Sequence, residues 1–177
     1  MPHTDTHPAG SQPTAAATFT TEPASEPTFA EPSCVILDTN VVFDWLVFKN
    51  PEGLQIGRLI ASGDVRWIAT PAMQSESAHV LARCVLDAWL PDASMIAQAW
   101  ATHAEFVEPA PTAAARVPRC TDPDDQIFID LACQLGNASL LSRDRAVLKL
   151  ARRARTLGAQ ILAPSDWLKR RAAVALR

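Results

Sequence analysis

The chemistry available to this sequence rests on four acidic positions: Asp38, Glu76, the pair Asp122 and Asp125, and Asp144. Two of them end short apolar runs. Cys34-Val35-Ile36-Leu37 stops at Asp38, and Ser139-Leu140-Leu141 stops at Ser142-Arg143-Asp144. A strand covered by helices on both faces reads as a continuous aliphatic run. Ligands of such parallel sheets bind outside the carboxyl ends of the strands. Carboxylates gathered there repel one another unless positive charge lies between them. A divalent cation supplies that charge, and cations held by carboxylates cleave phosphodiesters.

Each acid also has a plainer reading. Asp38, in Leu37-Asp38-Thr39-Asn40, suits a helix N-cap as well as a strand-end ligand. Glu76 lies on the side of Met73 and Val80, within a helical stripe of Met73, Val80, Leu81, Cys84 and Val85. A carboxylate on that face must be paired or metal-bound, and an ion pair with Arg83 or His79 is the alternative to a metal. Asp122 reads as the N-cap of a helix, with Asp124 favouring its dipole. Asp125 falls in register with Phe128, Ile129 and Ala132 on the inner face, so it is the first choice of ligand here and Asp122 the second. Ser142 reads as the cap of the helix after Asp144, its hydroxyl within reach of metal-bound water or phosphate.

The elements that must position these groups alternate. Strands are expected at about 34–38, 65–69, 105–108, 138–141 and 160–162. Helices are expected at about 40–48, 51–62, from Thr70-Pro71 to Trp89, from Pro91 to 104, from Asp122-Pro123 to Gly136, from Ser142, and after Pro164-Ser165. This pattern predicts a three-layer α/β/α sandwich with a mainly parallel sheet of about five strands. Residues 109–121 read as a Pro/Ala-rich loop. Residues 1–32, rich in Pro, Thr, Ala, Ser and Glu, read as a disordered tail ahead of one domain at 33–177.

Composition narrows the class. The chain has 177 residues, and at 48% apolar it can build a substantial core. Cys34, Cys84, Cys120 and Cys133 have no CxxC spacing and no nearby His, which speaks against structural zinc and for reduced, partly buried thiols in a cytoplasmic protein. His3 and His7 lie in the tail, and His79 and His103 read as structural. No apolar run approaches the ~18 residues of a membrane span, and no secretory signal opens the chain. The net charge is -3, but it is unevenly spread. Residues 1–32 hold no Lys or Arg. Residues 143–177 hold ten, opposed only by Asp144 and Asp166. A basic end beside an acidic centre fits a nuclease, with phosphate attraction outside and metal ligands inside.

Together these residues resemble the PIN-domain ribonuclease family, and most closely its bacterial branch described as PIN-family toxin components of toxin–antitoxin systems. Three segments carry the resemblance: 35–42 around Asp38, 121–132 around Asp122-Pro123-Asp124-Asp125, and 141–148 around Ser142-Arg143-Asp144. It extends over about 33–165 and leaves the tail outside. It implies a Mg2+- or Mn2+-dependent ribonuclease acting on single-stranded RNA. Asp38, Asp125 and Asp144 would hold the metal, Asp122 would be an additional acid, and Glu76 would ligate or position the attacking water. Asn40, Ser142, Arg143 and Arg145 would contact substrate. The resemblance further implies a cognate antitoxin and a homodimer with a longer RNA groove. Trp45, Phe48 and Trp89 are candidates for the antitoxin's groove, with a place in the core as the alternative for each.

Other classes fit less well. A haloacid-dehalogenase-like phosphatase wants a second Asp two residues after the first, where this chain has Asn40. A receiver domain wants an acidic pair ahead of its phosphoacceptor and a later strand-end Lys, and neither arrangement is present. A catalytically silent module that binds RNA or antitoxin is the non-enzymatic alternative.

Overall fold

The computed structural model describes residues 33–84, 86–110 and 117–175. The expected tail at 1–32, with His3 and His7, lies outside the described residues. So does the middle of the 109–121 loop.

The chain runs β1 (Ser33–Leu37), α1 (Thr39–Leu46), α2 (Pro51–Ala61), β2 (Val65–Ala69) and α3 (Pro71–Ala82). It continues through α4 (Ala93–His103), β3 (Ala104–Phe106), α5 (Gln126–Leu135) and β4 (Ser139–Leu141). It closes with α6 (Arg145–Leu148), α7 (Ala151–Ala154), β5 (Gln160–Leu162) and α8 (Pro164–Ala175). The strands form one five-stranded sheet in the order β3-β2-β1-β4-β5, and every pairing is parallel. The fold is thus the α/β/α class expected from the alternating pattern.

β1 is central for a reason visible in its residues. Val35, Ile36 and Leu37 are all buried, so both faces of the strand are covered. Helix α2 packs against both α1 and α8, and α5 packs on β1 and β4 with α3 and α7 beside it. β1 is also where the strand order reverses. It pairs with β2 through Val35↔Trp67 and with β4 through Leu37↔Leu141. The crevice at such a reversal is where open α/β sheets bind ligands. Trp67, fully buried on β2, anchors the core against Trp45 and Trp100 at centroid distances of 5.9 and 4.3 Å. Helix α2 lies so close to α1 that a side chain at Gly53 would meet the Asp44 carbonyl carbon at 2.5 Å, and one at Gly57 would strike the Trp45 ring.

Several expected boundaries shift. The helix expected to reach Trp89 ends at Ala82, and a separate 3-10 turn covers Asp87–Trp89. Only Met73 and Ser77 of α3 are buried, so the apolar face needed to carry the helix onward is missing. Cys84, placed on the core stripe by its spacing, is exposed and has φ +57°, which ends the helical path. Asp92 rather than Pro91 opens α4, its carboxylate accepting from Met95 N at 3.0 Å. Helix α5 begins at Gln126, so Asp122 is not its cap. Asp122 instead accepts from Asp124 N at 3.0 Å within the preceding turn. Gly136, in the left-handed region at φ +69°, ends α5 as expected.

Candidate active site at the strand switch point

Asp38 leaves β1 at the reversal point, its backbone N–H bonded to Leu141 O at 3.0 Å. It occupies the cap position of α1, yet its carboxylate makes no well-formed capping hydrogen bond. Two other side chains hold it instead. The Ser142 hydroxyl and the Asn40 amide both donate to its Oδ2, the latter at 2.6 Å. Asp38 and Ser142 are both buried. Burial raises the Asp38 carboxyl above its ordinary range, the Ser142 and Asn40 donors oppose that rise, and Glu76 adds to it. Asp38 is thus the cap residue of α1 by position and also a buried acid tied across the strand ends to Ser142.

The cap reading falls on Asp144. Its Oδ1 accepts from Ala146 N at the start of α6, and its own N–H bonds the Ser142 hydroxyl at 2.9 Å. Ser142, expected to be the helix cap, is therefore the link between the two strand ends. It receives from the Asp144 backbone and donates to the Asp38 carboxylate.

Glu76, half-buried on α3, accepts from the buried Thr39 hydroxyl. Among the described residues it forms no ion pair with Arg83 or His79. Asp125 is half-buried at the mouth of α5, on the turn before Phe128, Ile129 and Ala132, which are buried as their spacing predicts. Its carboxyl is pushed up to about 7 by burial first, and then by Asp38, Asp144, Asp122 and Glu76. Asp125 thus feels every other acid singled out from the sequence. Asp122 and Asp124 are exposed beside it.

The donors are hard carboxylate oxygens, and none of these five acids forms an ion pair among the described residues. That donor set and its uncompensated charge suit a divalent cation of the Mg2+ type. Among the described residues no three such side chains converge closely enough to enclose an ion by themselves.

Two substrate contacts expected from the sequence have internal partners. Asn40 donates to Asp38 and accepts from Arg143 N at 3.1 Å. The Arg143 guanidinium pairs with Asp44 and, at 2.7 Å, with Glu52. Arg143 therefore braces the loop after β4 against α1 and α2. Arg145 is exposed at the first position of α6. Thr39, Asp44 and Gln126 were not singled out in the sequence. Gln126 accepts from Cys120 N at 2.8 Å and donates to Pro118 O at 3.1 Å, tying the preceding segment to the turn that carries Asp125. Their partners are remote in sequence or on an irregular loop, where spacing gives no signal.

Among the other expected residues, His79 is exposed and His103 packs against the half-buried Trp45 at 5.8 Å. Phe48 and Trp89 are exposed and meet edge to face at 5.1 Å. No described helix is long and apolar enough to cross a membrane.

The mutual repulsion has a measurable consequence. The pKa of Asp125 near 7 lies above its ordinary 3.8, so the folded protein keeps a proton that the unfolded chain has already released. That contribution to stability is complete below about pH 4 and is lost as pH rises through about 7. Melting of the metal-free protein should therefore fall in temperature between about pH 5 and about pH 8, and Mg2+ should raise it more at the higher pH. An equal Mg2+ effect at both would show that the ion does not bind at Asp125.

Comparison with known proteins agrees with this arrangement. The sequence model of one family, described as a PIN domain, matches residues 34–146. No curated protein matches the chain.

Proposed function

The chain belongs to the PIN-domain family, and on that premise we propose that it is a Mg2+- or Mn2+-dependent endoribonuclease that cleaves single-stranded RNA, the toxin of a cytoplasmic toxin–antitoxin pair. PIN domains are generally nucleases, act on RNA and generally use divalent metals. The observation that best supports the reading is the meeting of Asp38 with Ser142-Arg143-Asp144 where the strand order reverses, beside an Asp125 carboxyl raised by burial and by four neighbouring acids.

Asp38, Asp125 and Asp144 would hold the cation, with Glu76 and Asp122 at its margin. A cation bound there would acidify a coordinated water and stabilise charge on the leaving oxygen. The side chains around it have separate tasks. Ser142 and Asn40 fix the rotation of the Asp38 carboxylate. Thr39 orients Glu76 toward the same crevice, where it would ligate or position the attacking water. Arg145, exposed beside Asp144, would contact a flanking phosphate. The domain would comprise residues 33–177, with 1–32 as an appended tail.

The exposed Phe48–Trp89 pair, with Leu90 87% exposed next to it, offers an apolar surface to a helix or strand of an antitoxin. Trp45, packed against Trp67, belongs to the core instead. Two copies of the chain would form a longer RNA groove.

The deciding experiment is degradation of a labelled single-stranded RNA by the purified protein with Mg2+, Mn2+ or EDTA. Cleavage that needs the cation supports the proposal. Full activity in saturating EDTA would sink the metal-dependent mechanism. RNA or antitoxin binding without turnover under any cation would leave the silent binding module as the better reading.

A further inference from the structure

Three surface cavities adjoin one another around α7 and the free edge of β5. One, of about 470 Å³, is lined by Val117, Pro118, Arg119, Arg152, Arg153 and Thr156. The next, of about 640 Å³, shares Arg152 with it and adds Arg155 and Arg170. The third, of about 460 Å³, shares Gln160, Leu162 and Arg170 with the second and adds Arg171. Six arginines thus line these three adjoining cavities, which together form one basic groove along α7 and β5, and no carboxylate lines any of the three. Among the described residues none of the six forms an ion pair. In a chain of net charge -3 this is a marked concentration of unbalanced positive charge.

The groove begins close to the acidic crevice. Pro118 and Cys120 are the residues that Gln126 ties to the start of α5, and the Cys120 thiol lies 3.8 Å from an Asp125 carboxylate oxygen. From there the lining passes along α7 to Gln160 at the start of β5 and to Arg170 on α8.

We propose that this groove is the track for the RNA strand outside the cleavage site, with Arg152, Arg155 and Arg170 pairing with successive phosphates. The inference rests on the nuclease reading and extends it to a particular surface. A guanidinium presents a planar fork that matches phosphate and also stacks on bases, which suits an unpaired strand. A protein partner would need aromatic or aliphatic anchors. The tryptophan that lines the groove, Trp167, is buried, and the large exposed apolar side chain there is Val174 at its far end.

The test uses the full chain carrying Asp38→Asn, so that RNA is bound but not cut. Binding of a fluorescent oligouridylate of about twelve nucleotides is measured across a salt series, with and without Arg152→Gln/Arg155→Gln/Arg170→Gln. All three arginines are exposed, so the variant should fold, and its melting temperature checks this. The expected result is at least about tenfold weaker binding and a log K against log [salt] slope smaller by about 2, from three contacts at about 0.7 each. A control with the same charge change away from the groove, Lys49→Gln/Arg58→Gln/Arg83→Gln, should keep the original slope. If the parent binds RNA and the groove variant binds equally with an unchanged slope, the track is wrong and the nuclease reading stands. If the otherwise unmutated chain neither binds nor cleaves RNA, both fall. Loss of binding to polyglutamate, with RNA binding unchanged, would overturn the inference in favour of an acidic protein.

Discussion

Replacing Asp38 by asparagine is expected to slow RNA cleavage on the order of 10³-fold while leaving the fold in place. The effect on turnover follows from position. Asp38 is buried at the strand reversal, is held by Ser142 and Asn40, and lies close enough to Asp125 to raise its pKa. Asparagine keeps the shape and one acceptor oxygen but removes the charge that would face the cation. The small effect on folding follows from burial. The native carboxylate is desolvated and repelled by Glu76, so a neutral replacement relieves both costs. The net change should stay within about 1 kcal/mol, provided the Ser142 hydroxyl keeps a partner. The variant should also lose most of the Mg2+-induced rise in melting temperature. Wild-type turnover by a folded Asp38→Asn protein would remove Asp38 from the mechanism.

The second large effect concerns stability. Trp67→Ala should cost about 3–5 kcal/mol, against total stabilities of about 5–15 kcal/mol for natural domains. The side chain is fully buried between Trp45 and Trp100, so its loss leaves a cavity that two other rings must line. For a chain of this length that corresponds to a fall in melting temperature on the order of 10 °C. Trp67→Phe should cost much less. The indole N–H has no hydrogen-bond partner among the described residues, so mainly packing volume is lost. Thermal melts of the two variants side by side make the comparison, and equal losses would place the cost in something other than the cavity.

The central strands were legible because burial on both faces writes itself as an unbroken aliphatic run. Val35-Ile36-Leu37 and Ser139-Leu140-Leu141 could hardly be read otherwise. The acids that end them were legible for the same reason, since strand ends are where such a sheet exposes its crevice. Helix ends were less legible. Asp122 has the composition of a cap but serves a turn, because three more residues pass before α5 begins at Gln126. Cys84 fits an apolar stripe by spacing, but spacing does not say whether anything packs against it. The internal partners of Asn40 and Arg143 were not legible, because polar residues near an acid suggest substrate contact and carry no local sign of what else they bond. Their partners, Asp38, Asp44 and Glu52, are internal and only the tertiary fold brings them together. Thr39 bonding to Glu76 is of the same kind, a pairing of β1's exit with α3 that no local pattern encodes.

The hydrogen bond between Ser142 and Asp38 joins residues 104 positions apart. At ribosomal speeds of about 5–20 residues per second, the aspartate is made roughly 5–20 s before the serine that fixes it. Until β4 is made, β1 has at most β2 to pair with, and the crevice has only one wall. A nascent chain therefore carries Asp38, Glu76 and Asp125 past the messenger that encodes them before the loop that orients Asp38 has been translated. On the proposed reading, competence would arrive only with the final third of the polypeptide, and the order of strands in the sheet would act as a timer on cleavage.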